Sequence, residues 1–196
     1  MRIKTLIKLF AFSSILMLTL AACGGSQIET NMSEEISDFE FTTQDNETFG
    51  LDDLKGKYWV ADFVFTNCTT VCLPMTTNMS YLQDQINEEG LEDIELVSFS
   101  VDPDYDTPEV LKEYSEDYEA DLSNWTFLTG YDFDTIKELS IKSFKNMVQE
   151  APEGTDQVTH GTSFFLVDPD GKVIKAYQGT DKENMDDILA DLKEVS

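Results

Sequence analysis

The chain has 196 residues, with 39 acidic against 13 basic side chains and a single histidine. Three basic residues (Arg2, Lys4, Lys8) and no acidic one precede Cys23, so a chain cut there carries a charge of about −29. Nucleic-acid phosphate and anionic lipid both need a basic face, so nucleic-acid binding and a direct electrostatic grip on membrane are excluded. The charge reads as solubility in a cation-rich exterior, and no segment has the spacing of a calcium loop.

Arg2, Lys4 and Lys8 lead into an apolar run over residues 9–20, then Leu20-Ala21-Ala22-Cys23. A basic start, a short hydrophobic core and small residues before a cut site describe a secretory signal, and the run is too short for an ordinary spanning helix. Leu-Ala-Ala-Cys resembles the bacterial lipobox, in which the cysteine is lipidated and becomes the new N-terminus. The plainer alternative is a signal peptide with an incidental cysteine; Gly24, Gly25 and Ser26, which follow as a flexible tether, favour the lipobox. Two or more acyl chains on Cys23 would give stable anchoring. The chain is therefore divided into a lipoprotein signal peptide (1–22), a lipidated Cys23 with a flexible linker (23–37) and one folded domain (38–196). That domain is expected on the extracytoplasmic face of a bacterial cell membrane.

In chain order, Phe39 and Phe41 alternate with polar residues, Asp45-Asn46 turns, and Thr48-Phe49 returns, which predicts an N-terminal β-hairpin. Residues 52–56 form a short helical turn, and the near-continuous apolar run 58–65 is a buried strand of a parallel sheet. A helix over 71–87 stops at Gly90. Residues 94–101 are the next buried strand. Thr107 caps a helix with Pro108 at its first position, running to about residue 118. A strand over 125–128, a helix over 132–144, a hairpin of 163–167 with 173–177 across Asp168-Pro169-Asp170-Gly171, and an amphipathic helix over 182–195 complete the domain. Parallel β-α-β crossovers followed by an antiparallel hairpin predict an α/β, thioredoxin-like fold: a central mixed sheet flanked by helices.

Of the three cysteines, Cys23 belongs to the anchor, leaving Cys68 and Cys72 as an isolated pair in an exported chain. A structural disulfide usually closes a longer loop, so a pair this close reads as redox-active or metal-binding. Both lie between a buried strand and a long helix, beyond the carboxyl end of the strand where ligands gather in open α/β sheets. A helix N-terminus favours thiolate over thiol, and thiolates with an imidazole suit copper. His160, in Val158-Thr159-His160-Gly161-Thr162, precedes the hairpin strand, and in a thioredoxin layout that loop faces the start of the first long helix. A lone histidine is by default a surface or core residue; this position, beside a glycine that permits close backbone approach, points to the site instead. Asp62, six residues before Cys68, matches where thioredoxins place a buried acid that assists proton transfer, and alternatively sits at the solvent end of its strand. Asp102 ends the second buried strand, either neighbouring the site or opening the Asp-Pro turn.

Phe65-Thr66-Asn67-Cys68-Thr69-Thr70-Val71-Cys72-Leu73-Pro74, Phe99-Ser100-Val101-Asp102-Pro103 and His160-Gly161-Thr162 together resemble the Sco/SenC family over about residues 38–195. The resemblance implies that Cys68, Cys72 and His160 bind copper. It further implies that the protein helps to build the dinuclear copper centre of cytochrome c oxidase, with the copper-bearing oxidase subunit and a copper donor protein as partners. Leu73 stands where the family often has proline, and Pro74 follows one residue later.

Three other readings compete. A thiol–disulfide oxidoreductase would use the Cys68–Cys72 dithiol on partner cysteines. Such enzymes usually have C-x-x-C and a cis-proline before the strand facing the pair, where this chain has Thr162. The two activities are compatible, because a dithiol can reduce target cysteines before metal transfer. A thiol peroxidase would need an Arg or Thr beside its cysteine, and the single arginine, Arg2, is lost with the signal. A zinc site would leave one position open but lacks further ligands at metalloenzyme spacing. Copper exchange between ligands involves no chemical turnover, so on the main reading the protein is a chaperone and not an enzyme.

Overall fold

The computed structural model describes residues 28–68 and 72–196; the segment expected to be a signal peptide (1–22) and Cys23 lie outside them. A two-residue strand, β1 (Glu34–Glu35), precedes the expected hairpin of β2 (Glu40–Thr43) and β3 (Thr48–Gly50). Asn46 closes that hairpin in the left-handed conformation at φ 60°. A 3₁₀ turn (Leu51–Leu54) leads into β4 (Tyr58–Val64). Helix α1 (Cys72–Glu89) follows, burying Met75, Met79, Leu82 and Ile86 along one stripe. It ends at Gly90, whose φ of 71° a side chain would oppose.

After β5 (Ile94–Ser100), helix α2 (Pro108–Asp117) starts as its sequence dictates: Thr107 accepts from the Val110 amide, and Pro108 needs no amide partner. Next comes β6 (Trp125–Thr129). Asp132 then caps α3 (Phe133–Phe144) by accepting from the Thr135 amide at 2.8 Å. The short β7 (Val148–Gln149) and β8 (Thr159–His160) come before the hairpin of β9 (Ser163–Val167) and β10 (Lys172–Gln178), and α4 (Glu183–Val195) closes the chain.

The eight strands of the main sheet run in the order β1-β10-β9-β4-β5-β6-β2-β3. β4, β5 and β6 are parallel, as crossover helices require, and the remaining pairings are antiparallel. Alternation along β4 divides the interior in two. Val60 faces the core made with α1, α2 and α4, around Met75, Met79, Leu111, Ile188 and Leu192. Trp59, Ala61 and Phe63 face the core made with α3 and the N-terminal hairpin, around Phe39, Ile136 and Phe144. The result is the thioredoxin-like arrangement, with the β4–α1 junction above the carboxyl ends of the parallel strands.

Two features depart from the sequence reading. Residues 28–37, assigned to a flexible linker, are packed on the domain. Asn31 and Met32 amides donate to the Ile174 carbonyl, Glu34–Glu35 pair with Val173 and Lys172, and Ile28 and Ile36 are buried. Polar composition suggested a linker, but two buried isoleucines contribute about 1.5–3 kcal/mol each, enough to hold a short segment against an open sheet edge. The second departure is the small β7–β8 ladder, too short to be read from periodicity, in which Val148 pairs with His160.

Candidate functional site

The site forms where three pieces of chain meet. Cys72 is the first residue of α1, set directly above β4, and is 1 % exposed. His160 is held in register by β8 and is 8 % exposed. Cys68 lies on the loop after β4 and is half-buried. Their ligand atoms lie within 4.8 Å of one another, and among the described residues they are the one group of histidine, cysteine and acidic side chains gathered this way.

Hydrogen bonds prepare each member. His160 Nδ1 is 2.8 Å from the Gly161 carbonyl, which can only accept, so Nδ1 carries the proton and Nε2 presents a lone pair. Nε2 faces Cys72 Sγ at 3.2 Å, and the imidazole stands edge-on to the Phe65 ring at a centroid distance of 5.7 Å. The Cys72 amide donates to Cys68 Sγ at 3.4 Å, so the helix N-terminus bears on the outer sulfur. The Cys72 thiol is pushed well above its ordinary range, first by its hydrogen bond with Cys68 and then by burial. In the dithiol state Cys72 therefore keeps its proton, and a metal ion would have to displace it.

Gly161 makes the His160 position possible. A Cβ there would come 1.9 Å from Asn146 Oδ1, and Asn146 is fixed through Nδ2 to Ser140 Oγ at 3.2 Å. The glycine expected to allow close approach does so, and the Gly161 amide donates to the Met147 carbonyl at 2.9 Å.

Asp62 is not at the solvent end of its strand. It is fully buried on β4, opposite Ser98 of β5, and neither carboxylate oxygen has a hydrogen-bond partner. The Ser98 hydroxyl accepts instead from Trp125 Nε1 at 2.9 Å. Burial pushes the Asp62 carboxyl up to about 7, against weaker downward pulls from Ser98 and His160. Asp102 takes the turn role: its carbonyl accepts from the Tyr105 and Asp106 amides at 3.1 and 2.9 Å, and it stays outside the Cys–Cys–His group. Burial raises its carboxyl, and Asp104 and Asp156 add to the effect.

The sequence reading missed the residues that hold the Cys68 loop. Asp106 is buried and accepts from Thr66 Oγ1 at 2.6 Å, from the Thr66 amide at 3.3 Å and from Ser100 Oγ at 2.6 Å. On the other side Asn67 Nδ2 donates to Asp156 at 2.6 Å, and Gln157 Nε2 donates to the Asn67 carbonyl at 2.9 Å. The residues before Cys68 are thus tied both to the end of β5 and to the segment entering His160. In Asp102-Pro103-Asp104-Tyr105-Asp106 no local signal marks the last acid as the one turned inward. Leu73, where the resemblance expects proline, is 54 % exposed.

Two soft sulfurs and an imidazole with a free Nε2 fit copper by donor chemistry. The same sulfurs, close together with one under a helix amide, also fit thiol–disulfide exchange.

A family model described as SCO1/SenC matches residues 28–196. The crystal structure of a SCO1/SenC family lipoprotein from Bacillus anthracis is similar at 50% identity and a TM-score of 0.77, over 82% of this chain and 94% of that one. BsSco, described as a member of the Sco family of cytochrome c oxidase assembly proteins with a disulfide switch, is similar at 47% identity and a TM-score of 0.77, over 85% and 96%. Yeast Sco1 with copper bound is similar at 25% identity and a TM-score of 0.65, over 82% and 89%.

Proposed function

The chain belongs to the SCO1/SenC family, and we propose that it is a membrane-anchored copper-binding protein serving assembly of the dinuclear copper centre of cytochrome c oxidase. Cys68, Cys72 and His160 hold the copper. The observation that carries this reading is the buried Cys72–His160 pair at 3.2 Å, its imidazole tautomer set by Gly161, with Cys68 Sγ completing a three-atom cluster. The copper-bound yeast relative and the oxidase-assembly role of BsSco support the choice of metal and target.

Copper is cargo here. Three protein ligands leave room for a thiolate or imidazole of the oxidase subunit, and transfer follows relative affinity. Loading from a donor protein displaces the Cys72 proton, and Asp62, whose charge bears on both Cys72 and His160, is the acceptor in the ionised form it takes above about pH 7. Lipid on Cys23, supported by the lipobox resemblance and by the lipoprotein relative, keeps the domain at the extracytoplasmic membrane face beside its target.

A second reading has its own observation: the helix amide on Cys68 Sγ makes that sulfur the better nucleophile and Cys72 its resolving partner. On this reading the Cys68–Cys72 pair reduces cysteines of the target. One experiment separates the two. The reduced lipidated protein in non-ionic detergent is titrated anaerobically with Cu(II), alongside His160→Ala. One tightly held copper with sulfur-to-copper charge-transfer bands, altered or lost in the variant, is the expected result. Rapid conversion to the disulfide without retained copper, indifferent to His160, would leave only the oxidoreductase.

A further inference from the structure

Holding a metal does not account for the cavity beside the two sulfurs. It measures about 420 Å³ and is bordered by Cys68 and Cys72 together with Leu73, Tyr114, Asp117 and Tyr118. The last three stand at i, i+3 and i+4 at the C-terminal end of α2, so one face of that helix closes it. The wall is braced from α1: Tyr114 Oη and Thr76 Oγ1 share a hydrogen bond at 2.6 Å, and Ser80 Oγ donates to the Tyr118 carbonyl at 3.1 Å. The two tyrosine rings are 4.8 Å apart.

The electrostatics of this wall have one sign. Carbonyls at a helix C-terminus carry partial negative charge, which basic side chains in the last turn offset and acidic ones reinforce. Helices α3 and α4 answer it with Lys142 and Lys193, whereas α2 ends on Glu116-Asp117 with no basic residue in its last turn. Among the described residues no ion pair engages Asp117. Two tyrosine rings, an unpaired carboxylate and a helix C-terminus around one opening are the components of a cation site.

We propose that this cavity receives a positively charged side chain, lysine or arginine, of the polypeptide whose thiol or imidazole meets Cys68. The proposal rests on Cys68 and Cys72 being the exchanging pair, and it names the charge that a partner must carry beside its own ligand. The docked cation completes the end of α2 and aligns the incoming group with the outer sulfur.

The test uses charged thiol reagents as stand-ins for the partner. The reduced, lipidated protein in non-ionic detergent is treated with trimethylammonioethyl, sulfonatoethyl or uncharged methyl methanethiosulfonate. In each case the Cys68 thiolate attacks the reagent's sulfenyl sulfur, a mixed disulfide forms and methanesulfinate leaves with the bonding electrons. Rates are read from the loss of the reduced peptide that carries both cysteines, which counts the first attack whether the mixed disulfide persists or Cys72 displaces the reagent's thiol to close the Cys68–Cys72 disulfide. The cationic-to-anionic rate ratio should fall about fivefold in Tyr118→Leu, persist in Tyr118→Phe, and fall roughly threefold in Asp117→Asn. The uncharged reagent should react equally with all of them. A ratio unchanged by either variant, or lowered as much by the distant Asp170→Asn, would overturn the proposal. Copper titration of the same proteins tests the metal reading separately: a parent that binds no copper removes that reading and leaves the charge ratio to be judged alone.

Discussion

The two sulfurs of the site are placed by different means. Cys72 is seated by regular structure, a helix start above a buried strand, and meets a histidine fixed by a strand register. Cys68 sits on a loop and is placed by side chains: Asp106 gripping Thr66 on one side, Asp156 and Gln157 gripping Asn67 on the other. One half of the site is therefore as rigid as the core. The other half, held by side-chain hydrogen bonds, is the more adjustable, which suits the exchange proposed for that sulfur. The contrast predicts that changes under Cys72 act on the stability of the fold, whereas changes around Cys68 act on the site with little effect on the core.

The largest effect should come from Asp62, beneath the rigid half. Burial pushes its carboxyl up to about 7 in the folded protein, from the ordinary value of 3.8. Between those values the folded state holds the extra proton, so this group's contribution is greatest below about pH 4 and is lost as pH rises to about 7, on the order of 4 kcal/mol in all. Asp62→Asn should gain stability over the parent as pH rises, seen in urea unfolding of the copper-free proteins at pH 5 and pH 8. A difference that ignores pH would rule out the buried, proton-holding carboxyl. Next is His160→Ala, expected to weaken copper binding at least about 100-fold, or roughly 2.7 kcal/mol, in competition with a chromophoric chelator. An affinity close to the parent's would remove His160 from the ligands.

The adjustable half should yield smaller numbers. Thr66→Val, which deprives Asp106 of its shortest partner on the loop, should lower copper affinity roughly tenfold and shift the charge-transfer bands, while Thr66→Ser keeps both at parental values. If Thr66→Ser behaves like Thr66→Val, the hydroxyl clamp is not the cause. Smallest is Gln157→Leu, which frees the Asn67 carbonyl at a cost of about 1 kcal/mol. It should raise the rate of Cys68 alkylation a few-fold without moving the thermal midpoint by more than a few degrees. A large loss of thermal stability with unchanged Cys68 reactivity would make that bond part of the core.

The same contrast governs what could be read from the amino acids alone. Cys72 and His160 stand out because their placement follows from element order, which apolar periodicity, the Thr107 and Asp132 caps and the stop at Gly90 make plain. Asp106, Asn67 and Gln157 do not, because the bonds that hold the Cys68 loop join residues 40 to 90 apart and polar residues in loops look alike until the chain is folded. For Asp62 the apolar run predicted a buried strand, yet only packing decided that the acid lies inside it. β1 was hidden for the opposite reason: Glu34 and Glu35 contribute their backbone to an edge, and backbone pairing has no composition.

That edge strand also decides how long a leash the domain has. Ile28 is already packed, so no more than four residues separate Cys23 from the folded body. Fully extended, the five steps from Cys23 to Ile28 span at most about 18 Å. With lipid on Cys23 as proposed, the domain rides against the bilayer, sweeping a thin shell in place of a wide volume. Its targets are then those that expose their metal site at the same height above the membrane.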